Sequence, residues 1–181
     1  DMSTMIRLSN KVNSVISLFA LVNIGSTAFV ATPYEPVEEA GNKCIKFGID
    51  CVIGDKPALK GITQSLQNKD IATVQHFESD YHLLLVRQNR PNNILPTGNK
   101  VAIFSSGTTG EPKAIVHHFK SLILNASLHA EAIGLKSSDI VGGVLPIHYS
   151  YGLVASLFSS LFIGSCYSFQ SRASGLDEQW A

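Results

Sequence analysis

A polar, glycine-containing segment in the second half of the chain carries the donors needed to hold a polyphosphate. It covers residues 105–113, reads SSGTTGEPK, and follows an apolar run at 100–104 that is predicted as a buried strand. Its two glycines permit positive φ and a close approach of the backbone to a ligand. Four hydroxyl side chains and several free backbone N–H groups can converge on one anion, and Lys113 adds a full positive charge. This set of donors suits a triphosphate.

The spacing of the segment differs from that of two other phosphate-binding patterns. A Walker A loop has lysine directly after its second glycine and a hydroxyl residue next. Here Glu111 and Pro112 separate Gly110 from Lys113, and Ala114 follows. The segment does not match GxGxxG either. The alternative without chemistry is an ordinary polar hairpin loop, although such loops rarely combine so many hydroxyl residues with glycine and lysine.

Alternating strands and helices are expected to position this segment. In the first half, strands are predicted at residues 5–8, 28–30 and 49–53, with helices at 12–24 and 35–47. This β-α-β-α-β order is typical of an α/β fold with a mostly parallel sheet and helical crossovers. A further helix is predicted at 57–67, and strand candidates follow at 71–77 and 81–86.

The second half begins after a segment rich in proline and asparagine at 87–99, which is predicted as a linker. The strands predicted after it are 100–104, 114–117, 140–145 and 166–169, and the helices are 119–133 and 150–162. Ser150 is expected to cap the second helix and Gly164 to end it. We therefore expect residues 1–86 to form a first βαβ half and residues 100–181 a phosphate-loop half.

The composition narrows the class of protein. Lys and Arg total 14 and Asp and Glu total 14, so the formal charge of the 181-residue chain is zero. A nucleic-acid binder would show a basic excess, so we expect no nucleic-acid partner. Hydrophobic residues make up 45% of the chain and charged residues only 15%, which excludes intrinsic disorder. So little charge also predicts that part of this surface packs against other protein rather than water.

The cysteines and the most apolar segment bear on compartment and targeting. The chain has an odd number of cysteines, Cys44, Cys51 and Cys166, and their spacing is not that of metal ligands. We therefore predict that they are buried free thiols in a reducing, cytoplasmic compartment. The apolar segment at 14–31 resembles a signal peptide but is too interrupted for a membrane span. Because the chain begins with Asp1, residues upstream of it are expected to be missing.

The polar segment resembles the phosphate-loop signature of the adenylate-forming superfamily. This superfamily comprises acyl-CoA synthetases, luciferases and the adenylation domains of peptide synthetases. Its usual form is Ser/Thr-Ser-Gly-Thr-Thr-Gly-x-Pro-Lys-Gly, which residues 105–113 match, with Ala114 where glycine is usual. A weaker structural resemblance to the same family lies at residues 25–33.

A second motif supports the resemblance. Residues 144–153, VLPIHYSYGL, resemble the family pattern Leu-Pro-x-Phe-His-x-x-Gly-Leu. With the gaps kept, Tyr149 takes the position of the family's histidine, at the acyl pocket, and His148 is its neighbour. The resemblance therefore implies that Tyr149 gates the substrate pocket.

The resemblance implies an activity and its participants. The family condenses a carboxylate with ATP to give an acyl-adenylate and pyrophosphate, then passes the acyl group to the thiol of coenzyme A or of a carrier-protein pantetheine. The implied cofactors are ATP and Mg²⁺. The nucleotide-binding residues it implies are Ser105, Ser106, Gly107, Thr108, Thr109, Gly110 and Lys113. Lys113 and Thr108 are the implied catalytic residues, with no metal ligand from the protein. The substrate-binding residues it implies are His148, Tyr149, Ser150, Tyr151 and Gly152.

Several family motifs are missing from these 181 residues. We find no Tyr-Gly-x-Thr-Glu motif, no matching ribose-binding aspartate and no domain with the catalytic lysine of the family. The chain is therefore expected to be part of the large N-terminal domain and inactive without the remainder of the enzyme. The expected partners are a small carboxylic acid, that remainder and, if the acceptor is a carrier, an acyl carrier protein.

Two alternatives to the enzyme stay open on the sequence alone. The first is a short non-catalytic module that keeps the phosphate loop to bind a nucleotide or a partner. The second is an unrelated phosphate-binding α/β protein that carries a similar loop by chance.

Overall fold

The computed structural model describes residues 2–9, 11–69, 71–77, 82–87, 98–106 and 111–169. The strands are β1 Ser3–Arg7, β2 Thr27–Val30, β3 Cys51–Gly54, β4 Ala72–Phe77, β5 His82–Arg87, β6 Lys100–Ser106, β7 Pro112–His118, β8 Ile140–Gly143 and β9 Cys166–Phe169. The helices are α1 Val12–Asn23, α2 Val37–Lys46, α3 Lys56–Gln67, α4 Phe119–Ala132 and α5 Ser159–Ile163, the last preceded by a π-helical segment Tyr151–Phe158. The chain forms two compact units: unit 1 is Asp1–Ser9 with Asn13–Phe119, and unit 2 is Asn10–Val12 with Lys120–Ala181.

Unit 1 is built on a mixed sheet of seven described strands in the order β4-β5-β3-β1-β2-β6-β7. The four central strands β3, β1, β2 and β6 run parallel. β5 pairs antiparallel with β3, β4 pairs antiparallel with β5, and β7 pairs antiparallel with β6. The α/β class, the parallel core and the β-α-β-α-β order predicted for the first half are confirmed.

Strands β1, β2 and β3 are buried at every position, as expected for the centre of a parallel sheet that is covered on both faces. Met5, Phe29 and Val52 are fully buried on β1, β2 and β3. The apolar segment at 14–31 therefore folds into α1 and the central strand β2. Over the residues that the structure describes, no helix is both long enough and apolar enough to cross a membrane.

Helices α2 and α3 begin at recognisable signals. Pro36 precedes α2, as predicted. α3 begins because the Asp55 side chain accepts a hydrogen bond of 2.8 Å from the backbone N–H of Ala58, and Pro57 lies in the first turn. Gly61 lets the two helices approach closely, since a Cβ there would lie 3.0 Å from the Val37 side chain.

The segment predicted as a loop at 105–113 is shorter in the structure. β6 continues through Ser106 and β7 begins at Pro112, with Ser105 paired to Lys113 across the hairpin. The prediction was wrong at both ends because backbone pairing, which depends little on side-chain polarity, extends the ladder into the polar residues. Residues 107–110 lie outside the described residues.

Unit 2 contains α4, the π-helical segment, α5 and a parallel pair of strands, β8 and β9. The predicted stop at Gly164 is confirmed by its φ of 78°. The expected cap at Ser150 is wrong: its φ and ψ are −55° and −39°, and its side chain makes no capping hydrogen bond. A capping side chain needs an extended backbone at its own residue, and Ser150 is already helical.

The cysteine prediction holds for two residues. Cys44 and Cys51 are buried, whereas Cys166 is exposed at the start of β9. The prediction of a buried thiol is wrong for Cys166 because β9 is paired on one side only among the described strands.

The predicted linker at 87–99 lies largely outside the described residues, so the division of the chain at that point stays a prediction.

Candidate functional site

The hairpin β6–β7 places two of the predicted site residues side by side. Ser105 and Lys113 are direct partners across the antiparallel pair, and partners of this kind share one face. Ala114 and Val116 pack against the core of unit 1, so the face carrying Lys113 and Ile115 points the other way. Lys113 is exposed there. A hydroxyl and an ammonium group thus lie together at the loop end of the hairpin.

This end of the hairpin coincides with the carboxyl edge of the parallel sheet. β6 is parallel to β2, and β2 to β1, so Ser106 ends its strand at the same edge as Val30 and Arg7 end theirs. In open α/β sheets, ligands bind outside the carboxyl ends of the strands. The topology therefore presents the predicted phosphate-binding residues at the edge where a ligand is expected.

An aromatic cluster fixes the strand directly before Ser105. The ring centroid of Phe104 lies 5.7 Å from that of Phe29 and 5.5 Å from that of Phe47. The Phe29 and Phe47 centroids are 6.2 Å apart. Phe47 follows α2 directly, so the end of that helix packs on the last core residue before the site. Such packing holds Ser105 in one backbone position.

A buried group of charges lies against the same phenylalanine, in unit 1. Lys43 on α2 forms an ion pair with Glu35, and its Nζ lies 4.5 Å from the centroid of the Phe104 ring. The Arg7 Nη2 donates a 2.5 Å hydrogen bond to the backbone carbonyl of Glu35. All three charged residues are buried. Two cations and one carboxylate thus form one buried group, which contacts β6 through Lys43.

The second stem is tied to the same helix. Lys46, one turn beyond Lys43, donates a 2.8 Å hydrogen bond to the carboxylate of Glu111, the residue before Pro112. Both side chains are exposed, at 42% and 78%. The hydrogen bond and the positive charge of Lys46 hold the pKa of the Glu111 carboxyl below its usual value.

The second predicted motif lies in unit 2. Tyr149 is 58% exposed, and its ring centroid lies 4.3 Å from that of His148. Tyr151 is 61% exposed and stands edge-on to His129, with 6.0 Å between centroids. The sequence assigned no role to His129, because a separation of 22 positions from Tyr151 gives no signal of their contact.

Gly152 is required by packing. A Cβ at this position would lie 2.3 Å from the backbone oxygen of Pro146 and 2.9 Å from that of Leu145. The backbone of the π-helical segment at Gly152 therefore lies in direct contact with the backbone at Leu145 and Pro146. Its implied role in substrate binding stays a prediction, as do those of His148, Tyr149, Ser150 and Tyr151.

Of the predicted nucleotide-binding residues, the structure describes Ser105 and Lys113 with their side chains and Ser106 by its backbone. Gly107, Thr108, Thr109 and Gly110 lie outside the described residues. Sequence reasoning did not single out Glu35, Lys43 and Lys46. In the described part of the chain, no three His, Cys, Asp or Glu side chains come together as metal ligands.

The family model described as AMP-binding enzyme matches residues 3–181 of this chain. The chain is 28% identical over 174 residues to 4-coumarate–CoA ligase 3 of Arabidopsis thaliana, covering 89% of this chain and 31% of the ligase. It is 27% identical over 125 residues to the nonribosomal peptide synthetase apmB of Penicillium brevicompactum, covering 69% of this chain and 5% of the synthetase.

The fold has solved counterparts. The structure of ATP-bound MatB from Rhodopseudomonas palustris superposes with a TM-score of 0.71 at 17% identity, covering 93% of this chain and 35% of MatB. The chain thus spans about a third or less of the length of these proteins.

Proposed function

The chain belongs to the AMP-binding enzyme family, and from this premise we propose that the complete protein is an ATP-dependent acid–thiol ligase. In the first step a carboxylate oxygen of the substrate bonds to the α-phosphorus of ATP, and the bond to the bridging oxygen of pyrophosphate breaks. In the second step a thiol sulfur bonds to the acyl carbon, the bond from that carbon to the AMP phosphate oxygen breaks, and AMP and the thiol proton leave. The observation that carries the proposal is the Ser105–Lys113 pair at the carboxyl edge of the sheet. Family membership also removes the alternative of an unrelated phosphate binder.

In this proposal the hairpin binds the β- and γ-phosphates of ATP. Preorganised donors are most effective where negative charge develops, and here it develops on the departing pyrophosphate. The ammonium group of Lys113 clamps that charge, and the hydroxyls of Ser105, Ser106, Thr108 and Thr109 donate to it. Gly107 and Gly110 contribute backbone N–H groups, and we propose Lys113 and Thr108 as the catalytic residues. Mg²⁺ bound to the polyphosphate shares the charge.

We propose an acyl-CoA synthetase-like enzyme rather than an amino-acid activator. The support is the motif at 144–153, together with the lack of any aspartate between Asp139 and Asp177 that could hold a substrate amine. His148, Tyr149, Ser150, Tyr151 and Gly152 are the proposed substrate-binding residues. Coenzyme A is the first acceptor to test, and a carrier-protein pantetheine is the second, since relatives of both kinds match this chain.

The proposal extends to setting and partners. We place the enzyme in the cytoplasm, where ATP and reduced thiols are available. The 181 residues lack the adenine-binding and catalytic-lysine motifs of the family, so we expect turnover only together with the remainder of the enzyme.

The test uses the complete protein with ATP, Mg²⁺ and a panel of carboxylic acids. Hydroxylamine traps acyl-adenylates as hydroxamates, and coenzyme A then replaces it to detect thioester. We expect hydroxamate with at least one acid and thioester from the same acid. Heat of ATP binding in calorimetry without hydroxamate from any acid would favour a non-catalytic nucleotide-binding module instead.

A further inference from the structure

We propose that helix α2 is a positioning element for the phosphate loop, holding one stem of the hairpin through Lys43 and the other through Lys46. Lys43 contacts the Phe104 ring on β6, and Lys46 contacts Glu111, the residue directly before β7. The inference rests on the proposed function, because the residues that it positions are the proposed polyphosphate donors. Neither lysine touches ATP in this account.

The two contacts come from one face of one helix. Residues three apart on a helix lie above one another on the same side, and Lys43 and Lys46 have this spacing. Phe104 directly precedes Ser105, and Glu111 lies two residues before Lys113. Each contact is therefore one or two residues from a member of the paired donors. Helix α2 thus contacts both sides of the hairpin close to the point where the donors project.

Strand β7 of the hairpin has few other means of support among the described residues. β7 lies at the edge of the sheet among the described strands, so β6 is its sole strand partner there. On its core face, Ala114 and Val116 pack against unit 1. The end nearest the loop has the Lys46–Glu111 pair as its tie to α2. A donor set that must be ready before ATP arrives gains from such support, because misplacement of about 1 Å weakens catalysis.

Substitutions of the two lysines distinguish a positioning role of α2 from a contribution of α2 to the stability of the fold. Lys43 and Glu35 are buried, so removal of either leaves an unpaired buried charge and destabilises the fold. Lys46 and Glu111 are exposed, and a pair of this kind contributes little to stability. A purely structural role for α2 would thus show at Lys43 alone. A positioning role shows at Lys46 as well, with the fold unchanged.

The first measurement does not depend on activity. In the complete protein, amide hydrogen exchange is compared between wild type, Lys46→Ala and Lys60→Ala, a matched removal of an exposed lysine on α3. We expect Lys46→Ala to speed exchange in the stems, residues 104–106 and 111–113, at least twofold, while Lys60→Ala leaves them unchanged. Equal stem exchange in Lys46→Ala and wild type overturns the inference, whether or not the protein is an enzyme.

The second measurement is the Michaelis constant for ATP in acid-dependent ATP–pyrophosphate exchange. We expect Lys46→Ala and Glu111→Ala each to raise this constant about two- to fivefold without changing the melting temperature, the range expected for an exposed ion pair. The double variant should be no worse than either single one, and the swap Lys46→Glu with Glu111→Lys should recover part of the loss.

Additive losses in the double variant overturn the positioning role. An unchanged Michaelis constant for ATP in a variant whose stem exchange is altered overturns it too. Wild-type protein inactive with every acid refutes the proposed function instead, and the stem-exchange result still decides whether α2 holds the hairpin.

Discussion

At the scale of single residues, the sequence was most informative where a motif repeats a family pattern. Residue types and spacing alone predict that Lys113 and the hydroxyls before it bind a polyphosphate, and this stays a prediction. The pairing of Ser105 with Lys113 could not, because it depends on the register of a hairpin whose loop the sequence made too long. The contact between Glu35 and Lys43 was equally hidden, since it depends on how the turn after β2 meets the helix that follows.

The ion pair between Glu35 and Lys43 gives the first prediction. Glu35→Gln removes the carboxylate that compensates Lys43 and leaves two buried cations, Lys43 and Arg7, without it. Breaking a buried pair in this way costs about 3–5 kcal/mol. We expect Glu35→Gln to lower the free energy of unfolding by this amount in urea denaturation. Glu38→Gln, an exposed change on α2, is the control and should have almost no effect; equal stability of the two variants contradicts the account.

The cysteines give the second prediction. Burial, with a smaller effect of Glu35, raises the pKa of Cys44 to about 12, and burial raises the pKa of Cys51 to about 11. The thiolate is the reactive form, so these thiols stay protonated and unreactive until the pH approaches those values. At pH 8 we expect iodoacetamide to label Cys166 in the folded protein and to label all three after denaturation. Peptide mapping is the measurement. Labelling of Cys44 in the folded protein at pH 8 would contradict its burial.

At the scale of elements, the existence and order of the strands and helices were predictable, while their ends were not. Periodicity located α2 and α3 to within two residues, since Pro36 and the Asp55–Pro57 pair are local start signals. Ser150 failed as a cap because its own backbone is already helical and its side chain makes no capping hydrogen bond. The π-helical segment that follows is a product of packing, at Gly152.

Gly152 carries the third prediction. Its replacement by alanine would place a Cβ 2.3 Å from the Pro146 oxygen, so the backbone of the segment must move. Overpacking of this kind costs about 1–3 kcal/mol or more. We expect Gly152→Ala to lower the melting temperature by several degrees in calorimetry. Gly142→Ala is the matched control, since its Cβ would meet only the Val144 side chain at 3.8 Å. Equal melting temperatures of the two variants would argue against the close crossing.

At the scale of the whole molecule, the low fraction of charged residues in the sequence corresponds to exposed apolar side chains in the structure. Unit 2 exposes many large apolar side chains, among them Leu124, Leu128, Ile140, Tyr151 and Phe162.

The parallel core of unit 1 was predictable from the β-α-β-α-β pattern. The short connections of β4 to β5 and of β6 to β7 favour antiparallel hairpins, but nothing in the sequence pattern indicates at which edge of the sheet each hairpin lies.

The exposed apolar side chains give the fourth prediction. We expect the remainder of the enzyme to cover those of unit 2, so the 181 residues alone should bind the dye ANS and self-associate, because apolar patches open to water promote both. The complete protein should bind several times less dye per molecule. Fluorescence titration and sedimentation measure the two effects. A monomeric 181-residue chain with no more dye binding than the complete protein would contradict this use of the surface.

The most direct test of the central claim is acid-dependent exchange of labelled pyrophosphate into ATP by the complete protein, compared between wild type and Lys113→Ala. Lys113 is exposed at the loop end of the hairpin, so its removal should leave the melting temperature unchanged. The account predicts exchange by the wild type with at least one carboxylic acid and a loss of about 10²-fold in Lys113→Ala, the size typical of losing one preorganised donor. Full exchange by a folded Lys113→Ala variant, or none by the wild type with any acid of a broad panel, would contradict it.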